Sequence, residues 1–225
     1  MNAKRILNFL SELTCNNNRE WFALHKGEYE ACKADFELFV AEWIERMSKV
    51  KPELKYLTPK DCMWRIYRDT RFSPDKTPYK DHFGAFLAQK GGKKSRYAGY
   101  YVHLQPNGAC MFAAGMWCPD PDILKAQRMA ILDNYEELEQ IMDNQSFRRY
   151  FTDFDTDYML KKVPAGFPQD FEHADWLKLK TFTISRILPE RLVTNEHFID
   201  ALMDISVAAQ PLNDFLNYTL EEMSY

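Results

Sequence analysis

The sequence lacks a long apolar run, a large excess of charge of either sign, and a paired-cysteine motif. No apolar run approaches the roughly 18 residues that a membrane-spanning helix needs, so we expect no membrane segment. The N-terminal stretch has no uninterrupted apolar core and no small-residue cleavage site, so we expect no targeting signal. The net charge of −4 and the pI near 5.8 exclude a general binder of nucleic acid or anionic membranes. Any anion site must therefore be local.

The cysteines and the known catalytic motifs point the same way. The odd number of cysteines and the absence of C-x-x-C spacing predict reduced, mostly buried thiols in a cytoplasmic protein. We expect no metal site, because ligand pairs need close and regular spacing. No phosphate loop, dinucleotide fingerprint, nucleophile elbow or zinc-protease motif occurs, so no cofactor is predicted. The five cysteines are Cys15, Cys32, Cys62, Cys110 and Cys118.

The composition is that of a folded domain. Hydrophobic residues make up 46% of the 225 residues and aromatic residues 15%, which is enough for a substantial core. No repeat, low-complexity tract or linker interrupts the chain. We therefore predict one domain over residues 1–225.

Helical spacing of apolar residues marks both ends of the chain. Residues 3–13 form a first helix, which the run Asn16–Asn18 ends while capping the next helix. From Arg19 onward an apolar stripe predicts one long helix. Further helices are predicted over 121–142, near Phe147, and towards the C-terminus. There Pro211 is expected to begin the last helix, where its missing N–H costs nothing.

The middle of the chain reads as strands. Alternating and aromatic residues predict strands in four stretches, with weaker patches at 158–163 and 182–188. Asn107-Gly108 between two of these stretches is a strong hairpin signal. The architecture is therefore α+β: an antiparallel meander of four or more strands with helices mainly on one side, including N- and C-terminal helices. The four stretches are residues 62–72, 82–89, 97–105 and 109–117.

A basic segment, residues 65–80, stands out in this mildly acidic chain. It carries five cations against only two carboxylates, Asp69 and Asp75. Strand alternation would place Arg68 on the face opposite Arg65 and Arg71. Guanidinium groups match carboxylate and phosphate oxygens, and a loop stiffened by prolines lowers the cost of ordering on binding. The five predicted ligand-binding residues are Arg65, Arg68, Arg71, Lys76 and Lys80.

Three hypotheses follow from the basic segment. The first is a pocket that binds or processes a small anionic ligand bearing phosphate or carboxylate, with His82 as the candidate catalytic proton carrier. The second is a nucleic-acid accessory module, in which the basic turn at 90–96 extends the segment, although it is not favoured. The third is a structural or partner-binding protein whose arginines pair internally. The sequence leaves the oligomeric state open.

Several stretches resemble a known family. The chain is similar to the conserved hypothetical proteins grouped as domain of unknown function 2461. This resemblance implies a single α+β domain and brings neither an assigned activity nor catalytic residues. The matching stretches are NNNREWFALHKGEY (16–29), RIYRDTRFSPDKTPYKDHFGAF (65–86), GYYVHL (99–104), AAGMW (113–117) and PAGF (164–167).

Overall fold

A computed structural model describes residues 1–223 of the chain. The helices are α1 (Ala3–Cys15), α2 (Arg19–Leu24), α3 (Lys26–Ser48), α4 (Pro59–Cys62), α5 (Pro121–Asp133), α6 (Tyr135–Asp143), α7 (Gln145–Arg148), α8 (Ala174–Lys178), α9 (Glu190–Val193) and α10 (Phe198–Glu222). The strands are β1 (Phe83–Leu87), β2 (Gly99–Leu104), β3 (Met111–Met116) and β4 (Phe182–Ile187). Short 3-10 helices span Pro52–Tyr56 and Gly92–Lys94.

The strands form one antiparallel sheet in the order β1-β2-β3-β4. With helices at the start and at the end of the described chain, this confirms the predicted α+β class. The predicted strand over 62–72 is wrong, and β4 is the fourth strand instead. Residues 63 and 67 each form only an isolated bridge, to Ala85 and Tyr79. Beyond Arg68 the chain enters a loop that contains two prolines, which cannot donate to a ladder.

The asparagine run ends one helix and begins the next, as predicted. Asn16 follows α1, and the side chain of Asn18 accepts a hydrogen bond from the Trp21 backbone N–H at 2.8 Å. The long helix predicted from Arg19 is interrupted at His25, which separates α2 from α3. Helix 121–142 is likewise divided, at Asn134.

The prediction that Pro211 begins the last helix is wrong. Pro211 lies inside α10, which continues on both sides of it. A proline inside a helix removes one backbone hydrogen bond and crowds the preceding turn. Leu212 and Leu216 are fully buried just beyond it. Burial of this apolar stripe outweighs the local penalty, which is a tertiary effect that propensity alone does not show.

The described chain contains two compact units, each built from three separate segments. Unit 1 consists of Met1–Lys94, Tyr101–Phe112 and Ile187–Met203, and unit 2 consists of Ser95–Tyr100, Ala113–Arg186 and the segment that begins at Asp204. One domain over residues 1–225 therefore stays a prediction. None of the helices within residues 1–223 is both long and apolar enough to span a membrane.

Unit 1 is held together by an aromatic core. The stripe predicted for the first long helix is buried, with Phe36 and Trp43 of α3 fully enclosed. Phe9 of α1 is also fully enclosed, and Arg5 on the same helix pairs with Asp35 of α3. The apolar faces of α1 and α3 therefore support the segments of unit 1 that carry the site described below.

Unit 2 contains buried polar side chains that bond to main-chain carbonyls. The amide of Gln127 donates to the Leu216 carbonyl at 2.6 Å, and the guanidinium of Arg128 donates to the Leu179 carbonyl at 2.7 Å. Burial lowers the pKa of Arg128. These bonds give the two buried side chains hydrogen-bonding partners that replace their hydration.

Two glycines provide a matched test of this packing. Gly115 has φ +114°, and a Cβ there would lie 2.0 Å from the Phe182 carbonyl oxygen, whereas a Cβ at Gly27 in α3 would meet nothing within 4 Å. We expect Gly115→Ala to lower the free energy of unfolding by more than about 1 kcal/mol. Gly27→Ala should raise it by about 0.5 kcal/mol. Urea unfolding measures both, and equal effects of the two substitutions would contradict the close approach at Gly115.

Candidate functional site

A register shift between two extended segments of unit 1 creates the candidate site. The Trp64 N–H donates to the Gly84 carbonyl at 3.2 Å, and the Lys80 N–H donates to the Ile66 carbonyl at 2.7 Å. Three residues separate Lys80 from Gly84, but only Arg65 separates Trp64 from Ile66. The longer side must therefore bulge around residues 81–83. Bulges re-aim side chains and are common beside active sites.

Asn17 and Phe22 hold the segment that leads into this bulge. The Asn17 amide donates to the Tyr79 carbonyl at 3.0 Å, and its oxygen accepts from the Tyr79 N–H at 3.1 Å. The side chain of Asn17 thus pairs with Tyr79 as a neighbouring strand would. The ring of Phe22 stacks on that of Tyr79 at a centroid distance of 3.9 Å. The backbone immediately before Lys80 is therefore restrained on both sides.

Arg68 is occupied by the loop that follows it. Its guanidinium donates to the Asp75 carboxylate and to the Thr77 hydroxyl. Asp75 also accepts from the Thr77 backbone N–H at 2.9 Å. That backbone bond, followed by the bond from Arg68, lowers the pKa of Asp75 to about 2. Arg68 therefore fastens the loop to the preceding chain, as the internal-pairing hypothesis predicts for this residue.

Arg71 and Lys76 also contact protein groups. The Arg71 guanidinium donates to Asp69 with a shortest distance of 2.7 Å, and this bond lowers the pKa of Asp69. Lys76 donates to the Thr70 carbonyl at 2.9 Å. The Arg71–Asp69 pair is exposed, and such pairs contribute little to stability. Arg71 could therefore be released to a ligand at low cost.

Arg65 and Lys80 differ from the other three cations. Within residues 1–223 neither side chain has a hydrogen-bonding or ion-pair partner. Arg65 is exposed, whereas Lys80 is half-buried. Burial, and then the charge of Arg65, lowers the pKa of Lys80. Neither cation forms an ion pair within residues 1–223, although the charge of Arg65 also acts on Asp69 and helps to lower its pKa.

A polar network of five residues occupies the same unit: Asp81, His82, Tyr101, His103 and Gln105. Three of them alternate along β2 and its end, opposite the buried residues Tyr100, Val102 and Leu104. This alternation places their side chains on one face of the strand.

Hydrogen bonds connect the polar network from end to end. The Tyr101 hydroxyl lies 2.7 Å from Nδ1 of His103, whose Nε2 lies 2.7 Å from Oε1 of Gln105. The Gln105 amide donates to Oδ2 of Asp81 at 2.9 Å, and Oδ1 of Asp81 lies 3.0 Å from Nδ1 of His82. The two imidazole rings stack at a centroid distance of 4.3 Å, which closes the circuit.

The bonding capacities of the polar network assign its protons. An ionised Asp81 only accepts, so the Gln105 NH₂ group must face it and Oε1 must face His103. Nε2 of a neutral His103 then carries the proton, and its Nδ1 accepts from the Tyr101 hydroxyl. The same reasoning places the proton of a neutral His82 on Nδ1. The two histidines are therefore opposite tautomers.

Burial favours the uncharged form of two members of the polar network. It lowers the pKa of His103, and the neighbouring His82 lowers it further, against the opposing effects of Gln105 and Asp81. Burial also raises the pKa of the Tyr101 hydroxyl to about 12. Asp81 is the carboxylate of the polar network, and it accepts hydrogen bonds from Gln105 and from His82.

Trp64 and Gly84 form the wall beside Tyr101. The indole ring meets the tyrosine ring edge to face at 5.6 Å, and Trp64 is 38% exposed. A Cβ at Gly84 would lie 2.8 Å from the Tyr101 hydroxyl oxygen. Glycine at this position therefore lets Tyr101 lie flat and reach His103.

His82 and the five cations were named as candidates from the sequence, and they stay predictions; Gln105 was not named. The polar alternation Tyr101, His103, Gln105 in a predicted strand was the signal that could have revealed the network face. No group of three or more His, Cys, Asp or Glu side chains in residues 1–223 could hold a metal ion.

The pKa of His103 gives a pH test of the polar network. Because it is lowered below 6.5, folding disfavours the protonated ring, and this penalty grows as the pH falls from 6.5 through the folded-state value. We expect the free energy of unfolding of the wild type to fall relative to that of His103→Gln between about pH 7.5 and about pH 5. Urea unfolding at each pH measures the difference, and parallel pH profiles would contradict a buried, neutral His103.

The comparison with known proteins covers this whole region. A family model described as "Conserved hypothetical protein (DUF2461)" matches residues 5–215, which include the basic segment and the polar network. No curated protein and no solved structure matches the chain significantly. The chain belongs to the conserved hypothetical protein family DUF2461.

Proposed function

We propose that the protein binds a small anionic ligand, bearing a phosphate or carboxylate group, through Lys80 and Arg65. The observation that carries the proposal is the half-buried ammonium of Lys80, which has no partner among residues 1–223. A charged group that leaves water without a partner destabilises the fold. A bound anion would supply that partner.

Arg65 makes an anion the fitting ligand. The positive charge of Arg65 repels that of Lys80 and lowers the lysine pKa. An anion between the two cations would offset both the repulsion and the lost hydration. The planar guanidinium can donate two parallel hydrogen bonds to a carboxylate or phosphate, and the ammonium adds a point charge.

The other three predicted ligand-binding residues take a supporting role in this proposal. Arg68 and Lys76 hold the loop through Asp75 and Thr70, while the exposed Arg71 remains available to extend the site. Loop residues that are already ordered reduce the entropy cost of ligand binding.

The nucleic-acid hypothesis has less support. Lys93 of the basic turn donates to the Met63 carbonyl at 2.7 Å, and Arg96 contacts Asp120 and Asp122. These contacts occupy two of the cations that would extend a nucleic-acid stripe. Because both side chains already contact protein groups, the small-ligand hypothesis is favoured over the nucleic-acid hypothesis.

A reducing compartment is part of the proposal. All five cysteines are free, with Cys32, Cys62 and Cys110 buried and Cys15 and Cys118 exposed. Such a pattern is typical of cytoplasmic proteins. We therefore place the proposed ligand among cytoplasmic phosphates and carboxylates.

A thermal-shift assay tests ligand binding. Phosphate, sugar phosphates and small carboxylates are each added to wild type, Lys80→Met and Lys4→Met. At about 100 times its dissociation constant, a ligand should add roughly 2.7 kcal/mol. The melting temperature should then rise by about 5–10 °C. Lys80→Met should lose this response, whereas Lys4→Met, the same change at an exposed position of α1 outside the basic segment, should keep it. The absence of any response in the wild type to the whole series would refute the proposal.

The stability of ligand-free Lys80→Met provides an independent prediction. The substitution removes a desolvated charge, so the variant should be more stable than the wild type at neutral pH. Because the folded-state pKa of Lys80 lies below 10.5, the wild type should regain stability as the pH rises between these two values. The advantage of the variant should therefore shrink over that range in urea unfolding. A variant less stable than the wild type at neutral pH would show that Lys80 has a structural role.

A further inference from the structure

We infer that Asp81 and His82 form a proton-transfer pair, in which Nε2 of His82 acts as a general base towards a bound molecule. This inference adds a chemical step to the proposed anion site, but the orientation and reactivity of His82 can be tested without a ligand.

The Asp81 carboxylate sets the orientation and tautomer of His82. Its Oδ1 lies 3.0 Å from Nδ1 of the imidazole. Because an ionised carboxylate can only accept, Nδ1 of a neutral His82 must carry the proton. Nε2 then keeps its lone pair. A carboxylate in this position also stabilises the imidazolium that forms when Nε2 takes up a proton.

The rest of the polar network holds Asp81 and His82 in place. Oδ2 of Asp81 accepts from the Gln105 amide at 2.9 Å, and Gln105 is bonded in turn to His103 at 2.7 Å. The His82 ring stacks on His103 at 4.3 Å, which restricts rotation of the ring. His103, Gln105 and Tyr101 are therefore positioning residues, whereas His82 is the group that would meet the ligand.

Nε2 of His82 has no hydrogen-bonding partner among residues 1–223. The side chain is 29% exposed, so an approaching molecule can reach it. A histidine that served only to tie the bulge to β2 would need its Nδ1 bond and its ring stack. It would need neither a free Nε2 nor access to solvent.

The proposed step moves one proton. The lone pair of Nε2 accepts a proton from an O–H group of the ligand or of a water molecule, which leaves that oxygen negative and the imidazole positive. The Nδ1 proton stays between His82 and Asp81. In the reverse step the imidazolium returns the Nε2 proton to the ligand, so the protein is restored. Lys80 and Arg65, the cations of the proposed anion site, would stabilise an anionic ligand during this step.

Acylation by diethyl pyrocarbonate tests the reactivity of Nε2, because the lone pair of an unprotonated imidazole nitrogen attacks the carbonyl carbon of the reagent. His197, whose side chain is 75% exposed, is the internal reference. We expect His82 to be labelled at least as fast as His197 at about neutral pH, despite its lower exposure. In Asp81→Asn the rate at His82 should fall severalfold, because an asparagine NH₂ group facing Nδ1 favours the tautomer that protonates Nε2. Asp69→Asn makes the same charge change next to Arg71 and should leave the rate unchanged.

Nitrogen-15 spectra of the histidines provide a second readout. At roughly pH 8, above the ordinary imidazole pKa of about 6.5, His82 should show a protonated Nδ1 and His103 a protonated Nε2. In Asp81→Asn the tautomer of His82 or of His103 should reverse. The inference is overturned if His82 carries its proton on Nε2 in the wild type. It is also overturned if His82 is labelled more slowly than His197, or if Asp81→Asn does not change the labelling rate of His82.

The two proposals fail in different ways. Loss of the thermal response to anions would remove the ligand site and leave the tautomer and labelling results standing. Slow labelling of His82 beside a normal anion response would remove the proton-transfer pair and leave a binding protein. If phosphate slows labelling of His82 in the wild type but not in Lys80→Met, the two groups share one site.

Discussion

The candidate site depends on the register shift between the segments at 63–68 and 78–85 of unit 1. Both segments pair in an antiparallel manner, but the side that contains Asp81 is longer and must bulge. Without this bulge, His82 would continue a regular ladder. The bulge instead lets Asp81 bond both His82 and Gln105. Asn17 and Phe22 hold the chain that enters the bulge at Tyr79, so a helix-capping region remote in sequence helps to position the site.

The cations of the basic segment fall into two groups. One group contacts the loop, and the other belongs to the proposed anion site. Arg68, Arg71 and Lys76 meet carboxylates, a hydroxyl or a carbonyl of the loop itself. Lys80 and Arg65 form no hydrogen bond or ion pair within residues 1–223, and burial lowers the pKa of the half-buried lysine. Retaining an unpaired cation there lowers stability, which is typical of positions kept for binding rather than folding. The internal-pairing hypothesis and the proposed anion site therefore concern different residues of one segment.

Local sequence patterns predicted which helices and strands are present better than they predicted the residues at which these begin and end. The buried stripe of α3 and the asparagine caps follow from helical spacing and from side chains that satisfy free N–H groups. The strand prediction for residues 62–72 was wrong because aromatic and β-branched residues favour an extended backbone but do not ensure that a neighbouring strand pairs with it along its whole length. The prediction that Pro211 begins the last helix was wrong because burial of the surrounding apolar residues outweighs the loss of one hydrogen bond.

The sequence by itself determined the α+β class, the basic segment and the choice of His82 as a candidate, because composition, periodicity and charge are local properties. Only the tertiary structure decided which cations are neutralised and which donors converge on Asp81. Gln105 and His103 are more than 20 residues from Asp81 along the chain, and β2 brings them to it. Proton positions within such a circuit follow from mutual donor and acceptor limits. Those limits exist only after folding has placed the side chains within hydrogen-bonding distance.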